Sequence, residues 1–258
     1  MQITKTIASI IISAAILMAC NSNNETNASI AGEANTTGLS GSGDDYYYES
    51  TMNSSGKNMM IDEVIKMFVS SKGDIRMESD IHNAMAGNKP SAPIIMLSHA
   101  DKPAESIDLD DSAKTFTINH IDTAAIGNNE MKINSTATKV GNEKIMGFNC
   151  VHARIISHKT MGSFYNATDT INLWKSHDVP QQASVKYKMD KLESGKGNSM
   201  YSTETAAQLK QMGCVGFTVK MIMNGDKSSM TKQLTKAGRR SFPASMFAIP
   251  AGYKEVKE

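Results

Sequence analysis

Apolar and polar residues alternate along most of the chain after residue 45, and this period of two constrains the fold more than any other feature. Between residues 215 and 223, the odd positions hold Val, Phe, Val, Met and Met. Residues 61–69 and 185–189 show related patterns. Such alternation is typical of β-strands that bury one face, so a mostly antiparallel sheet with one solvated side is expected.

Turn signals separate the strand candidates. Asn224-Gly225 predicts a two-residue hairpin because both positions tolerate positive φ, and residues 72–74 (Lys-Gly-Asp) predict another turn. Residues 108–111 are interpreted as a polar turn, since an EF-hand loop starting there would need Gly at 113 and Glu at 119. The pattern gives about eleven strands in all. The further candidates are residues 46–51, 75–77, 94–98, 115–121, 132–138, 150–157, 170–174, 230–234 and 246–249.

One helix is predicted, over residues 203–212. Ser202 is suited to cap it, Glu204 lies in its first turn, and Gly213 ends it. The predicted fold class is therefore mainly β (α+β): a curled antiparallel sheet or incomplete β-barrel with a plug helix against its concave face. A β-sandwich is the alternative.

The first twenty residues have the features of a targeting segment. Lys5 precedes an apolar run over residues 7–17, which is too short for a mature membrane-spanning helix. Residues 17–20 (Leu-Met-Ala-Cys) resemble a bacterial lipobox, so residues 1–19 are predicted to be a lipoprotein signal peptide. The resemblance implies diacylglycerol on the sulfur of Cys20 and an acyl chain, such as palmitate, on its amine. An ordinary secretory peptide is the alternative.

The same segment predicts where the chain goes and how it is divided. Cys20 and the polar residues up to 44 are expected to form a lipidated, flexible tether, since they contain few large apolar side chains. Residues 45–258 are expected to form a single β-rich domain. Asn21 favours the outer membrane of a bacterial cell envelope, and the only membrane contact predicted is through the lipid anchor.

Charge and motifs exclude several classes of function. The net charge is +1, and Lys5 lies in the predicted signal peptide, so the remainder carries 26 charges of each sign. This excludes nucleic-acid binding by bulk charge. The six histidines show no metal-ligand spacing, and no nucleophile elbow or P-loop occurs. We predict no catalytic residue, no metal and no cofactor besides the covalent lipid, and therefore no enzyme.

Two cysteines remain when Cys20 is assigned to the lipid. Outside the cytoplasmic membrane the compartment is oxidising, which makes Cys150 and Cys214 a disulfide candidate. The alternative is two separate buried thiols.

Methionine is unusually common: the chain contains 19, more than twice the number of leucines. Flexible thioethers suit an adaptable pocket for acyl chains. The pocket candidates are Val185, Tyr187, Met189, Phe217, Met221 and Met223. Two alternatives remain, namely that methionine only fills the core, or that it binds Cu(I).

Several short segments carry a family resemblance: residues 71–78, 107–110, 147–152, 169–175 and 247–253. In order and spacing they resemble the DUF4412-type envelope proteins, an uncharacterised family similar to the LolA/LolB lipoprotein-carrier superfamily. The resemblance implies an incomplete antiparallel β-barrel around an apolar cavity, and it supplies no catalytic residues. The expected function is non-enzymatic binding of a lipid or an acylated protein. The alternative is an envelope structural or interaction protein with a filled core.

Overall fold

The computed structural model of the protein describes residues 41–56, 59–83, 93–102, 104–120, 132–161, 165–180, 200–226 and 228–257. All strands in these ranges belong to one sheet of 12 strands that does not close, and the α-helix they contain packs on it. The prediction of a mainly β, curled sheet with a plug helix is confirmed, and the β-sandwich is not adopted. The predicted signal peptide, Cys20 and residues 21–40 lie outside the described residues.

The elements have the following bounds. The strands are β1 (Asp45–Gly56), β2 (Met59–Val69), β3 (Ile75–Asn83), β4 (Ile94–Ser98), β5 (Glu105–Asp110), β6 (Thr115–His120), β7 (Lys132–Ile145), β8 (Phe148–Met161), β9 (Tyr165–Ser176), β10 (Phe217–Gly225), β11 (Ser228–Arg240) and β12 (Lys254–Glu255). The helix α1 is Thr203–Gln211, and a 3-10 helix spans Ala244–Phe247. Within the described part of the chain, no helix is both long enough and apolar enough to cross a membrane.

Two antiparallel meanders make up the sheet, and the pairing of β1 with β11 joins them. Strands β1 to β6 are neighbours in sequence order, and so are β7 to β11. The joint runs from Asp45 opposite Arg240 to Gly56 opposite Ser228. The remaining pair is parallel and short, with Lys254 of β12 opposite Thr115 of β6.

Each of three strands contains one extra residue that has no partner in its pairing with a neighbouring strand. These residues are Val140 in β7, Val219 in β10 and Thr235 in β11. Such bulges bend a strand and increase its right-handed twist. A sheet of this many strands must coil. All three of these bulges lie in the meander formed by β7 to β11, which includes the strand β11 that pairs with β1.

The helix follows the sequence prediction closely. The side chain of Ser202 caps it by accepting a hydrogen bond from the Thr205 backbone N–H, and Glu204 lies in the first turn. The chain leaves the helix at Gly213, whose φ of +73° is in the left-handed region that favours glycine.

Helix α1 covers the backbone of β7, which is the last strand at one edge of the sheet. The Thr205 hydroxyl donates to the Ser135 carbonyl at 2.8 Å, and the Ala137 N–H donates to Oε1 of Gln208 at 2.8 Å. Side chains of the helix thus satisfy backbone groups that a further strand would otherwise pair. Covering an edge in this way prevents unwanted strand addition.

The predicted strand at residues 246–249 is wrong, because the chain forms the 3-10 helix there. Pro243 and Pro250 flank the segment, and proline cannot donate to a sheet ladder. Phe247 turns inward and packs in one cluster with Tyr47 and Phe68.

The polar turn predicted at residues 108–111 contains the end of a strand instead. Ile107 and Leu109 of β5 are buried, and they pack in one cluster with Ile95 and Leu97 of β4. The turn begins at Asp110, whose side chain accepts hydrogen bonds from the backbone N–H groups that follow. Acidic residues at alternate positions concealed the strand, because their side chains occupy its outer face.

We predict that Thr205→Val destabilises the protein by about 1–3 kcal/mol, since the buried Ser135 carbonyl loses its hydroxyl donor. Urea unfolding monitored by circular dichroism measures this change. Thr203→Val is the matched control, because Thr203 is exposed on the same helix and its replacement should change stability by less than about 0.5 kcal/mol. Equal effects of the two substitutions would contradict the role given to Thr205.

Candidate functional site

Two adjacent rows of side chains cross six strands on one face of the sheet. Directly paired residues of antiparallel strands point to the same side, so the register defines each row. In the order β8, β9, β10, β11, β1, β2, the first row is Ala153, Leu173, Met221, Lys232, Met52 and Glu63. The second row is Ile155, Ile171, Met223, Met230, Ser54 and Ile61. We name the surface formed by these two rows the methionine face.

Two apolar clusters meet on the methionine face. The first packs Leu209 of α1 and Cys214 onto the part of the face formed by β8, β9 and β10. The second consists of Met52, Ile65 and Met77, with partly buried Ile94 and Met96 against it. Met230 packs against both clusters and is itself only partly buried. The two clusters therefore form one continuous apolar surface with Met230 at its middle.

Methionine supplies much of the partly exposed boundary of this surface. The methionines that are partly buried and pack against one or both clusters are Met96, Met200, Met212, Met223 and Met230. Unbranched, polarizable side chains can change rotamer at small cost. The surface can therefore adapt to an apolar guest more readily than one built from leucine.

The structure brings together only part of the predicted pocket. Met221 and Met223 both lie on the methionine face. Phe217 packs in a different cluster, where its ring stacks on that of Tyr48 at 5.1 Å between centroids. The bulge at Val219 accounts for the difference, since one extra residue reverses the alternation between Phe217 and Met221. Val185, Tyr187 and Met189 lie outside the described residues.

Two ionisable side chains lie on the methionine face, and sequence reasoning missed both. Glu63 is 2% exposed, and the Ser79 hydroxyl donates a short hydrogen bond to its Oε1. Its other carboxyl oxygen, Oε2, is buried and has no hydrogen-bond partner. Burial raises the pKa of Glu63 above its ordinary value, because water no longer stabilises the carboxylate.

Lys232 is the second of these side chains, and it is half-buried. Desolvation lowers the pKa of Lys232 to about 8, and the charge of Glu63 opposes that shift. Both residues lie at positions where the alternation of their strand would place an apolar residue. Glu63 lies between Ile61 and Ile65, and Lys232 lies between Met230 and Leu234. A charged residue in that phase is the sequence signal that could have revealed them.

The ring of His152 has partners at both nitrogens and on one ring face. It stacks on Trp174 with centroids 4.0 Å apart. Its Nδ1 lies 3.0 Å from a carboxylate oxygen of Glu143, and its Nε2 lies 3.2 Å from the side-chain oxygen of Asn172. Both ring nitrogens thus have partners within the sheet. Across the described ranges, no group of three His, Cys, Asp or Glu side chains is placed to hold a metal ion.

Cys150 and Cys214 are both free and buried, so the disulfide candidate does not form and the alternative of two separate thiols applies. Cys150 packs with Phe148 on one side of β8, whereas Cys214 packs with Ala153 and Ile155 on the other. Each thiol donates to a backbone carbonyl. Burial raises the pKa of each to about 11.

A polar groove of about 350 Å³ lies at the opposite edge of the sheet from β7. It is formed where the short strand β12 stops covering β6. Its lining residues are Lys102, Glu105, Thr117, Ile118, Asn119, His120, Glu255, Val256 and Lys257. The groove is separate from the methionine face, and its charged lining does not suit an apolar guest.

A family model described as "Domain of unknown function (DUF4412)" matches residues 51–253. No curated protein matches the chain. Among solved structures, a LolA superfamily protein from Nitrosomonas europaea is 6% identical, with a TM-score of 0.32, and 83% of this chain and 94% of that chain are covered. LprF from Mycobacterium bovis is 11% identical with a TM-score of 0.31, covering 80% and 89%. A DUF1329 family protein from Desulfovibrio piger is 9% identical with a TM-score of 0.31, covering 80% and 90%.

We predict that neither Cys150 nor Cys214 reacts with iodoacetamide in the folded protein at pH 8. Both thiols are buried and protonated there, and only thiolates are nucleophilic. After unfolding without reductant, peptide mass spectrometry should find both alkylated. Alkylation that requires prior reduction would show that the two cysteines are bonded after all.

Proposed function

The chain belongs to the DUF4412 family, as its sequence resemblance predicted, and we propose that it is a non-enzymatic, lipid-anchored protein of the bacterial cell envelope. Its ligand is apolar, either a lipid or the acyl chains of an acylated protein, and it binds on the methionine face.

The observation that carries the proposal is the continuity of the two apolar clusters through Met230. The side chains at this junction are only partly buried although they are apolar. Contact between a contiguous apolar surface and water is unfavourable. Covering that surface with an acyl chain stabilises the complex by about 0.8 kcal/mol for each buried CH₂ group. Met223 and Met230 lie opposite each other on paired strands, so a linear chain can contact both.

The chemistry of the described residues favours binding over catalysis. The methionine face offers thioethers and aliphatic groups, which have neither nucleophilic nor acid–base reactivity at neutral pH. His152, a residue type common in catalytic sites, has both nitrogens occupied and one ring face against Trp174. These features support a role in which the ligand leaves unchanged.

The anchor is proposed from the sequence. Residues 17–20 match a lipobox, and β1 starts at Asp45, so a polar stretch separates Cys20 from the sheet. Two or three acyl chains on Cys20 would hold the protein stably at a bilayer, where one chain would not. Asn21 favours the outer membrane. A protein held at a bilayer is exposed to a high local concentration of acyl chains.

A second candidate is an envelope structural or interaction protein with a filled core and no ligand. Tight packing away from Met230 favours it, since Ile155 and Leu209 are fully buried and Met221 is 1% exposed. Ligand measurements separate the two proposals, because only the first requires binding.

We predict that the full-length protein, stripped of co-purified lipid on a hydrophobic resin, binds the fluorescent fatty acid cis-parinarate. Met230→Gln should weaken binding by roughly tenfold, since burying an unpaired amide costs about 1–3 kcal/mol. Met60→Gln is the matched control, because Met60 is 52% exposed and lies outside both clusters. If neither parinarate nor any acyl species in the organic extract associates with the protein, the filled-core candidate is the correct one.

We predict that cells fed labelled palmitate incorporate it into the wild-type protein and not into a Cys20→Ser variant, because the thiol that carries the lipid is missing. The variant should leave the membrane fraction. Equal labelling of the two proteins would remove the anchor from the proposal and leave the ligand site untouched.

A further inference from the structure

The outer edge of strand β6 is only partly covered by β12. The backbone N–H of Lys254 donates to the carbonyl oxygen of Lys114 at 3.0 Å. The N–H of Val256 donates in the same way to the carbonyl oxygen of Phe116, at 2.9 Å. Among the described residues, no strand pairs with this edge beyond Phe116. The chain thus shows that an extended segment can bind the edge through its backbone, and that this pairing stops halfway along β6.

Two residues at the end of β6 direct their backbone groups toward the uncovered part of the edge. The N–H and C=O groups of successive strand residues point alternately to the two neighbouring strands. Since the carbonyls of Lys114 and Phe116 face β12, the backbone groups of Ile118 and His120 face the same way. Those of Asn119 face β5, with which β6 pairs up to its last residue. Ile118 and His120 therefore present donors and acceptors that no strand in the described ranges takes up.

The polar groove lies along this uncovered part of the edge. It has a volume of about 350 Å³ and is lined by residues 117–120 of β6 and by residues 255–257, where the chain leaves β12. The open space is therefore in the position that a continued β12 would occupy. Ile118 is half-buried and His120 is exposed, so an incoming segment has access to both.

This part of β6 lacks the usual protection against strand addition. Edge strands are commonly protected by lysine, proline or a bulge. Residues 117–120 are Thr, Ile, Asn and His, and β5 pairs with β6 without a shift of register. The β7 edge differs, because side chains of α1 occupy its backbone groups. The protein thus covers one edge of the sheet and leaves four residues of the other edge open.

We propose that the edge of β6 from Thr117 to His120 is a binding site for an extended segment of a protein partner, which adds to the sheet as a strand. Backbone hydrogen bonds with Ile118 and His120 supply the affinity, as in other cases of β-strand addition. The site is separate from the methionine face, and it does not depend on the proposed function.

The walls of the groove favour a segment of no net charge with alternating apolar and polar side chains. The lining contains two lysines and two glutamates, and Lys102 pairs with Glu105 at 3.3 Å. Ile118 packs against the apolar cluster of β4 and β5. On the other face, the side chain of Asn119 donates to Asp108. A strand with an apolar side chain beside Ile118 and polar side chains beside Asn119 complements both faces.

A second copy of this chain fits the edge less well. Pairing of β6 with β6 of another copy would use only residues 117–120 of each chain. Each copy would also bring its own residues 255–257 to the contact, so that two such walls would meet. A four-residue contact is much smaller than the interfaces of about 1,200–2,000 Å² that stable complexes of folded proteins bury.

The test uses a peptide of the sequence Thr-Val-Thr-Ile-Thr, blocked at both ends, and the full-length protein. Amide hydrogen exchange, measured by NMR for each residue, should slow by about tenfold or more at Ile118 and His120 when the peptide is saturating. The amides of Thr117 and Asn119 already pair with β5, so their exchange should not change. A second peptide with proline at its central position lacks one N–H donor and should bind about tenfold more weakly.

Two substitutions at His120 separate backbone recognition from recognition of the imidazole ring. His120→Pro removes the outward N–H without removing a hydrogen bond to β5, and proline is tolerated on an edge strand in that situation. Binding of the fluorescein-labelled peptide, followed by anisotropy, should weaken by about tenfold. His120→Val is the matched control, because it removes the ring and keeps the N–H, and it should change the affinity by less than about twofold.

Slower exchange at Ile118 and His120, together with weaker binding of the proline peptide, would support the site. Unchanged exchange at both residues, or equal binding of the two peptides, would overturn it. Slower exchange that appears without peptide as the protein concentration rises would assign the edge to a second copy instead. None of these results bears on the methionine face, which parinarate binding tests separately.

Discussion

The pairing of β1 with β11 is the interaction on which the rest of the structure depends. It joins two meanders that are each built from local hairpins, and it places Asp45 opposite Arg240. Both rows of the methionine face cross this joint. Lys232 and Met230 come from one meander, whereas Met52 and Glu63 come from the other. The candidate site therefore exists only when this long-range pairing has formed, and the loop-closure entropy of that step opposes it.

An unclosed sheet must protect two edges, and the protein does so by different means. At the β7 edge, helix α1 supplies Thr205 and Gln208 to backbone groups of the strand. At the β6 edge, β12 pairs only at Thr115 and Phe116, and the polar groove begins where that pairing ends. The helix has a second role, because Leu209 belongs to the first cluster of the methionine face. One short element thus blocks strand addition and completes an apolar surface.

The candidate site could be predicted only in part, and the failures have specific causes. The alternation over residues 215–223 correctly grouped Met221 with Met223, yet it also included Phe217, because the bulge at Val219 leaves no trace in the hydrophobic pattern. Glutamate and lysine are residue types usually found at the surface, so residue type alone did not single out Glu63 and Lys232. Their significance follows from a register that places them on either side of Met52, and strand order cannot be read from alternation alone. The disulfide candidate failed for a related reason, since counting cysteines does not tell which side of β8 each one faces.

Local physics determined the elements of this protein from the sequence alone. Period-two alternation predicted a mainly β chain, the turn at residues 72–74 predicted the hairpin of β2 and β3, and Ser202 with Gly213 predicted both ends of the helix, because each signal acts within a few residues. The hairpin turn predicted at Asn224-Gly225 is wrong in position, since both residues still belong to β10 and the chain turns after them. The order of the twelve strands, the position of α1 over β7, and the meeting of the two clusters at Met230 were decided only by tertiary structure. The reason is that these arrangements depend on hydrogen bonds and packing between residues far apart in the chain, and on single-residue bulges that reverse which side a residue faces.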